Sequence, residues 1–247
     1  MAIYAMISAD SILFQPQSSS YQDDAQILKL TTSDGIRIST MHLPQSGAAY
    51  TILFSHGNAE DIGDNLEFFE MLHKAGFSVF AYDYHGYGTS AGKPSEANAY
   101  RDIHASYDYL TGTLHIPPEK IIAYGRSVGS GPTVQLALEK PLAGMVLESG
   151  FLSAFRVIMK YPVLPGDRFK NLEKISKVYC PVLMMHGKQD TIIPFYHGET
   201  LFRLANEPKK FVPIEKAGHN DLIWVGEEEW NKALREFAGL IATHAKK

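Results

Sequence analysis

Ile121-Ile122-Ala123-Tyr124-Gly125-Arg126-Ser127-Val128-Gly129-Ser130-Gly131 is the stretch that decides how this chain is read. An apolar, β-prone run ends in Gly-x-Ser-x-Gly, and a predicted helix follows at once. That is the pattern of a nucleophile elbow, in which a serine is held in a sharp strand-to-helix turn. A serine hydroxyl is a weak nucleophile until a protein aims it and takes its proton. In the elbow, Gly125 and Gly129 leave room for strand and helix to pass closely, and Ser127 stands exposed at the turn. Five matching letters alone are weak evidence. The strand before them and the helix after them give the match its weight.

Short apolar runs without alternation recur outward from this point, at Tyr50–Ser55, Ser78–Tyr82, Gly144–Leu147 and Pro181–His186. Strands buried on both faces read this way. Helical segments are predicted between them over Gly63–Ala75, Pro94–Leu114 with Ser95 as cap, Val128–Lys140, Phe195–Ala205 and Glu227–His244. A last strand is predicted at Lys210–Ile214. Strand–helix alternation from about residue 50 onward predicts a mostly parallel α/β sheet with helices on both faces. Ala25–Thr31 and Ile36–Leu43, joined by Ser33-Asp34-Gly35, predict an N-terminal antiparallel hairpin. The apolar phase of the second hairpin strand slips between Ile38 and Met41, which suggests a bulge or a bend. Residues 1 to about 25 read as irregular. Residues 150–176, with Pro162 and Pro165-Gly166-Asp167, read as a minimal cap inserted in a single domain spanning 1–247.

The chain has 247 residues, 45% hydrophobic and 20% charged, with a formal net charge of −4. This balance suits a globular domain and gives no footprint for nucleic acid. No apolar run is long enough for a transmembrane segment. Cys180 is the single cysteine, so no internal disulfide is possible; it reads as a buried structural residue, and the expected location is cytoplasmic.

A serine nucleophile needs a base, and the base needs a group that fixes its tautomer. Asp190 follows the apolar run that ends in His186-Gly187, at the carboxyl end of the sheet, where ligands of open parallel sheets bind. His219 lies in Ala217-Gly218-His219-Asn220, just past the last predicted strand. Ser127, Asp190 and His219 are thus the candidate catalytic residues. The backbone N–H of Val128 is one candidate oxyanion donor, and that of Asn58, in Ser55-His56-Gly57-Asn58, is the other.

Blander readings stand beside these. Asp190 could cap the helix near Pro194. His56 and His186 each precede a glycine and are expected to bond local backbone. Asp61 and Asp64 suit the positive end of a helix. Asp83 and the loop 84–90 read as mainly structural, with Tyr84 a candidate pocket residue. Arg126 either pairs with a carboxylate or binds an anionic acyl substrate. Phe151, Phe155, Tyr161 and Phe169 either line an acyl pocket or form the core of the cap; Phe151 and Phe155 are taken as candidate substrate-pocket residues. The histidines show no metal-ligand spacing.

His56-Gly57-Asn58, Asp83-Tyr84-His85-Gly86-Tyr87-Gly88-Thr89-Ser90, Gly125-Arg126-Ser127-Val128-Gly129, and the His186-Gly187-x-x-Asp190 and Gly218-His219 pair together resemble the α/β-hydrolase superfamily. Within it they resemble compact serine hydrolases related to eukaryotic protein depalmitoylases and their bacterial relatives, over about residues 25–245. The resemblance implies an α/β-hydrolase fold, a Ser127–Asp190–His219 triad, and no metal or organic cofactor. Those relatives carry an N-terminal cysteine cluster that is itself lipidated, whereas this chain has no cysteine before Cys180. The expected activity is cleavage of a carboxylic ester or thioester, with a small-molecule acyl ester or thioester as substrate. A serine peptidase of aminopeptidase type is the alternative, and a non-catalytic binding protein on the same scaffold is a further one.

Overall fold

Strands read without alternation where neighbours cover both faces, and the structure shows where those neighbours come from. The computed structural model describes residues 10–11, 13–159 and 166–244. Its strands are β1 (Ile27–Thr31), β2 (Arg37–Leu43), β3 (Thr51–Ser55), β4 (Ser78–Tyr82), β5 (Ile121–Arg126), β6 (Gly144–Glu148), β7 (Val182–Gly187) and β8 (Lys209–Ile214). They form one sheet in the order β1-β2-β4-β3-β5-β6-β7-β8. The β1–β2 and β2–β4 pairings are antiparallel and the rest parallel, so the hairpin sits at one edge as expected.

The helices are α1 (Leu66–Lys74), α2 (Glu96–Asp108), α3 (Ser130–Glu139), α4 (Ala154–Ile158), α5 (Asn171–Lys174), α6 (Tyr196–Leu204), α7 (Leu222–Val225) and α8 (Glu227–His244). Side chains alternate across each strand. Ile52 and Phe54 of β3 therefore pack with Phe68, Phe69 and Leu72 of α1 and with Trp230 and Phe237 of α8 on one face. Leu53 packs with Ile103 and Tyr107 of α2 and Leu136 of α3 on the other. Burying one such side chain contributes roughly 1.5–3 kcal/mol, so the two layers fix the sheet between them.

Two local expectations change. The pairing of β2 is regular on both sides, with Leu30↔Ile38 and Ile27↔Met41 toward β1 and Met41↔Ala81 toward β4, so there is no bulge. The apolar phase slips because Ile38 belongs to the core on one face and Met41 to the core on the other. The long helix predicted from Pro94 is capped by Ser95, which accepts from Asn98 N–H, but its α-helical part ends at Asp108 and a π-helical turn covers Tyr109–Thr113.

The path of the chain places the site. From β3 it crosses to β4 on one side, then returns past β3 to β5. Where strand order reverses in an open parallel sheet, the loops leaving the adjacent strand ends open a crevice. Here these are the loops after Ser55 and after Arg126. No described helix is long and apolar enough to cross a membrane.

Candidate active site

Ser127 follows directly on β5 with φ 52°, a left-handed conformation rare for a non-glycine residue. Such strain persists where surroundings over-determine the backbone, and the glycines on either side allow that. A Cβ on Gly129 would lie 2.1 Å from the Ser55 carbonyl oxygen, and one on Gly125 2.5 Å from the carbonyl oxygen of Gly129. No larger residue fits either position, so strand and helix meet at the distance the turn needs.

Ser127, Asp190 and His219 come together from three loops at the carboxyl ends of β5, β7 and β8. The Nδ1 of His219 lies 2.7 Å from Asp190 Oδ2, and its Nε2 lies 2.9 Å from Ser127 Oγ. A carboxylate can only accept, so Nδ1 carries the proton and Nε2 accepts from the serine hydroxyl. Asp190 is buried, and its Oδ1 accepts the backbone N–H groups of Ile192 (2.9 Å) and Ile193 (2.7 Å). Burial alone would raise this carboxyl; hydrogen bonds from His186, His219 and the Ile193 N–H outweigh it and hold the group well below the usual carboxylate range. Asp190 thus braces the turn that follows it and bonds the imidazole at once, whereas the helix after Pro194, with Phe195 as its N-cap residue, has no side-chain cap.

The two other histidines read as possible rivals are occupied. His56 Nδ1 donates to the Gly57 carbonyl at 2.7 Å, and His186 Nε2 to that of Ile193 at 2.8 Å. Burial pushes His56 down to about 4, so its ring is neutral. Arg126 donates from Nε to Glu148 Oε1 at 3.0 Å and from an Nη to Asn65 Oδ1 at 2.8 Å, with its guanidinium 4.3 Å from the centre of the Phe68 ring. Among the described residues, no group of three or more His, Cys, Asp or Glu could hold a metal ion.

Comparison with known proteins assigns this architecture. The sequence model of the family described as "Serine aminopeptidase, S33" matches residues 47–164. Alpha/beta hydrolase domain-containing protein 17B of Homo sapiens is 41% identical over 214 residues, covering 85% of this chain and 74% of that protein. Its Xenopus tropicalis counterpart matches over the same extent at the same identity. The chain belongs to the α/β-hydrolases, alongside the alpha/beta hydrolase domain-containing 17 proteins. An esterase of Pyrococcus furiosus, 20% identical, superposes with a TM-score of 0.74 over 91% of this chain and 97% of its own, which shows the shared fold.

In this α/β-hydrolase a cleft of about 410 Å³ opens beside Ser127. Phe151 and Phe155 line it, as do Asn58 and Val128. The backbone N–H of Asn58 donates to no acceptor among the described residues. Tyr84 does not line the cleft. It is 1% exposed, and its hydroxyl donates to the His56 carbonyl at 2.8 Å. A buried phenol needs an acceptor, and the loop after β3 supplies one, so Tyr84 braces that loop from beneath. Phe169 is likewise turned inward, against Phe14, Tyr100 and Phe151. Tyr161, Pro162 and Pro165 lie outside the described residues.

Asp83 and the loop after it are structural. Asp83 accepts from Ile62 N–H at 2.9 Å and from the Tyr21 hydroxyl, and Asp102 binds both the backbone and the ring of His85. Cys180 is half-buried rather than buried, packed against the core beside β7, and desolvation there pushes its thiol up to about 12. The hydrolase cleft also uses residues that sequence reading passed over: Leu13, Gln15, Glu60, Val157, Ile192 and Ile193. Ile192 and Ile193 lie two and three residues past Asp190, within reach of a local reading. Leu13 and Gln15 sit in an irregular segment with no periodicity to mark them.

Proposed function

We propose that this α/β-hydrolase cleaves carboxylic ester or thioester bonds through an acyl-enzyme intermediate. Ser127 is the nucleophile, His219 the general base and Asp190 its orienting carboxylate. The observation that carries the reading is the unbroken chain from Ser127 Oγ through both ring nitrogens of His219 to Asp190 Oδ2. Each residue acts by a stated step. His219 Nε2 takes the hydroxyl proton as Ser127 Oγ bonds to the carbonyl carbon. The negative charge on the carbonyl oxygen is met by the N–H groups of Val128 and Asn58. On collapse the C–O or C–S bond breaks, and His219 returns the proton to the leaving alkoxide or thiolate. Water, activated by the same imidazole, then releases the acid.

The apolar lining by Phe151, Phe155 and Val157 suits a short to medium acyl chain on a small-molecule ester or thioester. In this reading residues 150–176 act as a small cap on one hydrolase domain, and the enzyme works in the cytoplasm. The description of the matched family supports an aminopeptidase as the second reading.

The test is labelling with a fluorophosphonate and turnover of a p-nitrophenyl ester series, acyl thioesters and aminoacyl-naphthylamides. Labelling and ester or thioester turnover, both lost in Ser127→Ala, are expected. Turnover of the naphthylamides alone would favour the aminopeptidase. No labelling at all would point to a binding protein instead.

A further inference from the structure

Residues 14–21 form neither helix nor strand, yet together with Leu13 they bond the loop 56–62 that leaves β3 at Asn58 and Asp61, and reach its far end through Asp83. At the near end, Asn58 Nδ2 donates to the Leu13 carbonyl at 2.7 Å. The Gln15 N–H is shared between Asn58 Oδ1 (3.0 Å) and the Tyr87 hydroxyl oxygen (2.9 Å), and the Tyr87 hydroxyl itself donates to Asn58 Oδ1 at 2.6 Å. A backbone acceptor on one side and a backbone donor on the other fix which way the carboxamide points. At the far end, Ser20 N–H donates to Asp61 Oδ2 at 2.8 Å, and the Ser20 hydroxyl donates to Asp61 Oδ1. The Tyr21 hydroxyl binds Asp83, whose other oxygen holds the Ile62 N–H. Phe14 seats the segment between these ends, edge-on to Tyr84, Tyr87 and Phe169.

The clamped loop contains Ala59 at φ 59°, a left-handed conformation that costs a residue with a Cβ. An exposed alanine does not hold that geometry unaided; fixed neighbours on both sides do. Asn58, the residue before it, presents the backbone N–H assigned above to the oxyanion. An oxyanion donor works only where it meets the developing charge at about 2.7–3.1 Å.

We propose that Leu13–Tyr21 is a positioning strap for the oxyanion loop, acting on the Asn58 backbone through the Asn58 carboxamide and on the far end of the loop through Asp61 and Asp83. The strap contributes geometry, and the Asn58 side chain is a positioning group distinct from the N–H of the same residue. The proposal rests on the acyl-transfer reading, which assigns that N–H its role.

The experiment uses the full chain and three variants: Asn58→Ala, which keeps the backbone N–H; Tyr87→Phe, which removes one hydroxyl; and Ser20→Ala combined with Tyr21→Phe at the far end. Each is measured for kcat and KM on p-nitrophenyl acetate and butyrate, for melting temperature, and for hydrogen exchange of the peptides covering 56–62. The expected result is a kcat lowered about 10- to 100-fold in Asn58→Ala, with KM within about threefold, since sub-ångström to 1 Å misplacement costs on this scale. A smaller loss in the same direction is expected for the other two. Exchange over 56–62 should rise about tenfold in all three while the rest of the sheet stays protected. Wild-type kcat and wild-type exchange in Asn58→Ala and in the double variant would overturn the proposal. So would losses that track a general fall in melting temperature without faster loop exchange. A wild-type protein that turns over no ester sinks the acyl-transfer reading instead, and loop exchange then decides separately whether the strap holds the loop.

Discussion

Arg126 and Glu148 are register partners on β5 and β6, and their side chains meet at 3.0 Å from Nε to Oε1. Glu148 is 3% exposed and also receives the Tyr124 hydroxyl. The pair fixes the residue immediately before Ser127 to the neighbouring strand. Of the two roles the sequence allowed for Arg126, the structure shows the carboxylate pairing. Arg126→Met should therefore destabilise the fold, because it leaves a buried carboxylate without its counter-charge. Breaking a buried pair typically costs about 3–5 kcal/mol. Urea unfolding should show a lower midpoint, with a smaller loss in the doubly neutral Arg126→Met/Glu148→Gln protein. Equal losses in the single and double variants would contradict this account.

The three residues at the candidate site should fail in different degrees. Ser127→Ala and His219→Ala should each remove activity by about six orders of magnitude, as loss of a nucleophile or base does in serine hydrolases. Asp190→Asn should retain the fold but drop kcat by about 10⁴-fold, since an amide that donates toward Nδ1 selects the wrong tautomer. Stopped assays with purified, folded variants check this, and a mild effect at Asp190 would remove it from the constellation.

Gly129→Ala tests the close approach that permits the turn. Its new methyl would collide with the Ser55 carbonyl, which belongs to a central strand and cannot move alone. Overpacking of this kind costs typically about 1–3 kcal/mol and shifts backbone. The variant should melt lower than wild type and lose fluorophosphonate labelling, even below its melting transition. Gly112→Ala, where the new methyl would meet nothing within 4 Å beyond its own chain neighbours and helical turn, is the matched control for a harmless methyl.

Asp83 should leave a signature in the pH dependence of stability. Burial pushes its carboxyl from 3.8 up to about 8. Between about pH 4 and pH 8 the unfolded chain has released a proton that the folded chain retains. The group's contribution is thus full below pH 4 and is lost as pH rises through 8. Asp83→Asn should flatten that decline. The measurement is the stability difference between wild type and variant from pH 5 to pH 9. A constant difference across that range would show that Asp83 is ionised in the folded state.

Much of this was legible in order. Runs such as Ile121–Tyr124 and Pro181–His186 read as strands because apolar content with β-branched residues is a local signal. The elbow read clearly because Gly125 and Gly129 are required by a turn of a few residues. His219 and Asp190 could be named as candidates because each lies within five residues of the end of a strand. Tyr84 was misplaced for an equally physical reason: an aromatic beside a site looks the same in sequence whether it faces the cleft or the layer beneath. The phase slip in β2 looked like a bulge because a one-dimensional pattern cannot show that both faces of a strand are covered.

The sequence by itself determined the alternation of strands and helices, the strained serine turn and the two candidate partners, Asp190 and His219, near strand ends, because these depend on neighbours within a few positions. Only the tertiary structure decided that Arg126 belongs to Glu148, that Tyr84 supports a loop from below, and that Leu13, Ser20 and Tyr21 reach across to residues 58, 61 and 83. Those contacts join residues 22 to 62 positions apart. They are set by how the layers pack and by which buried donors must find an acceptor, and no local periodicity encodes either.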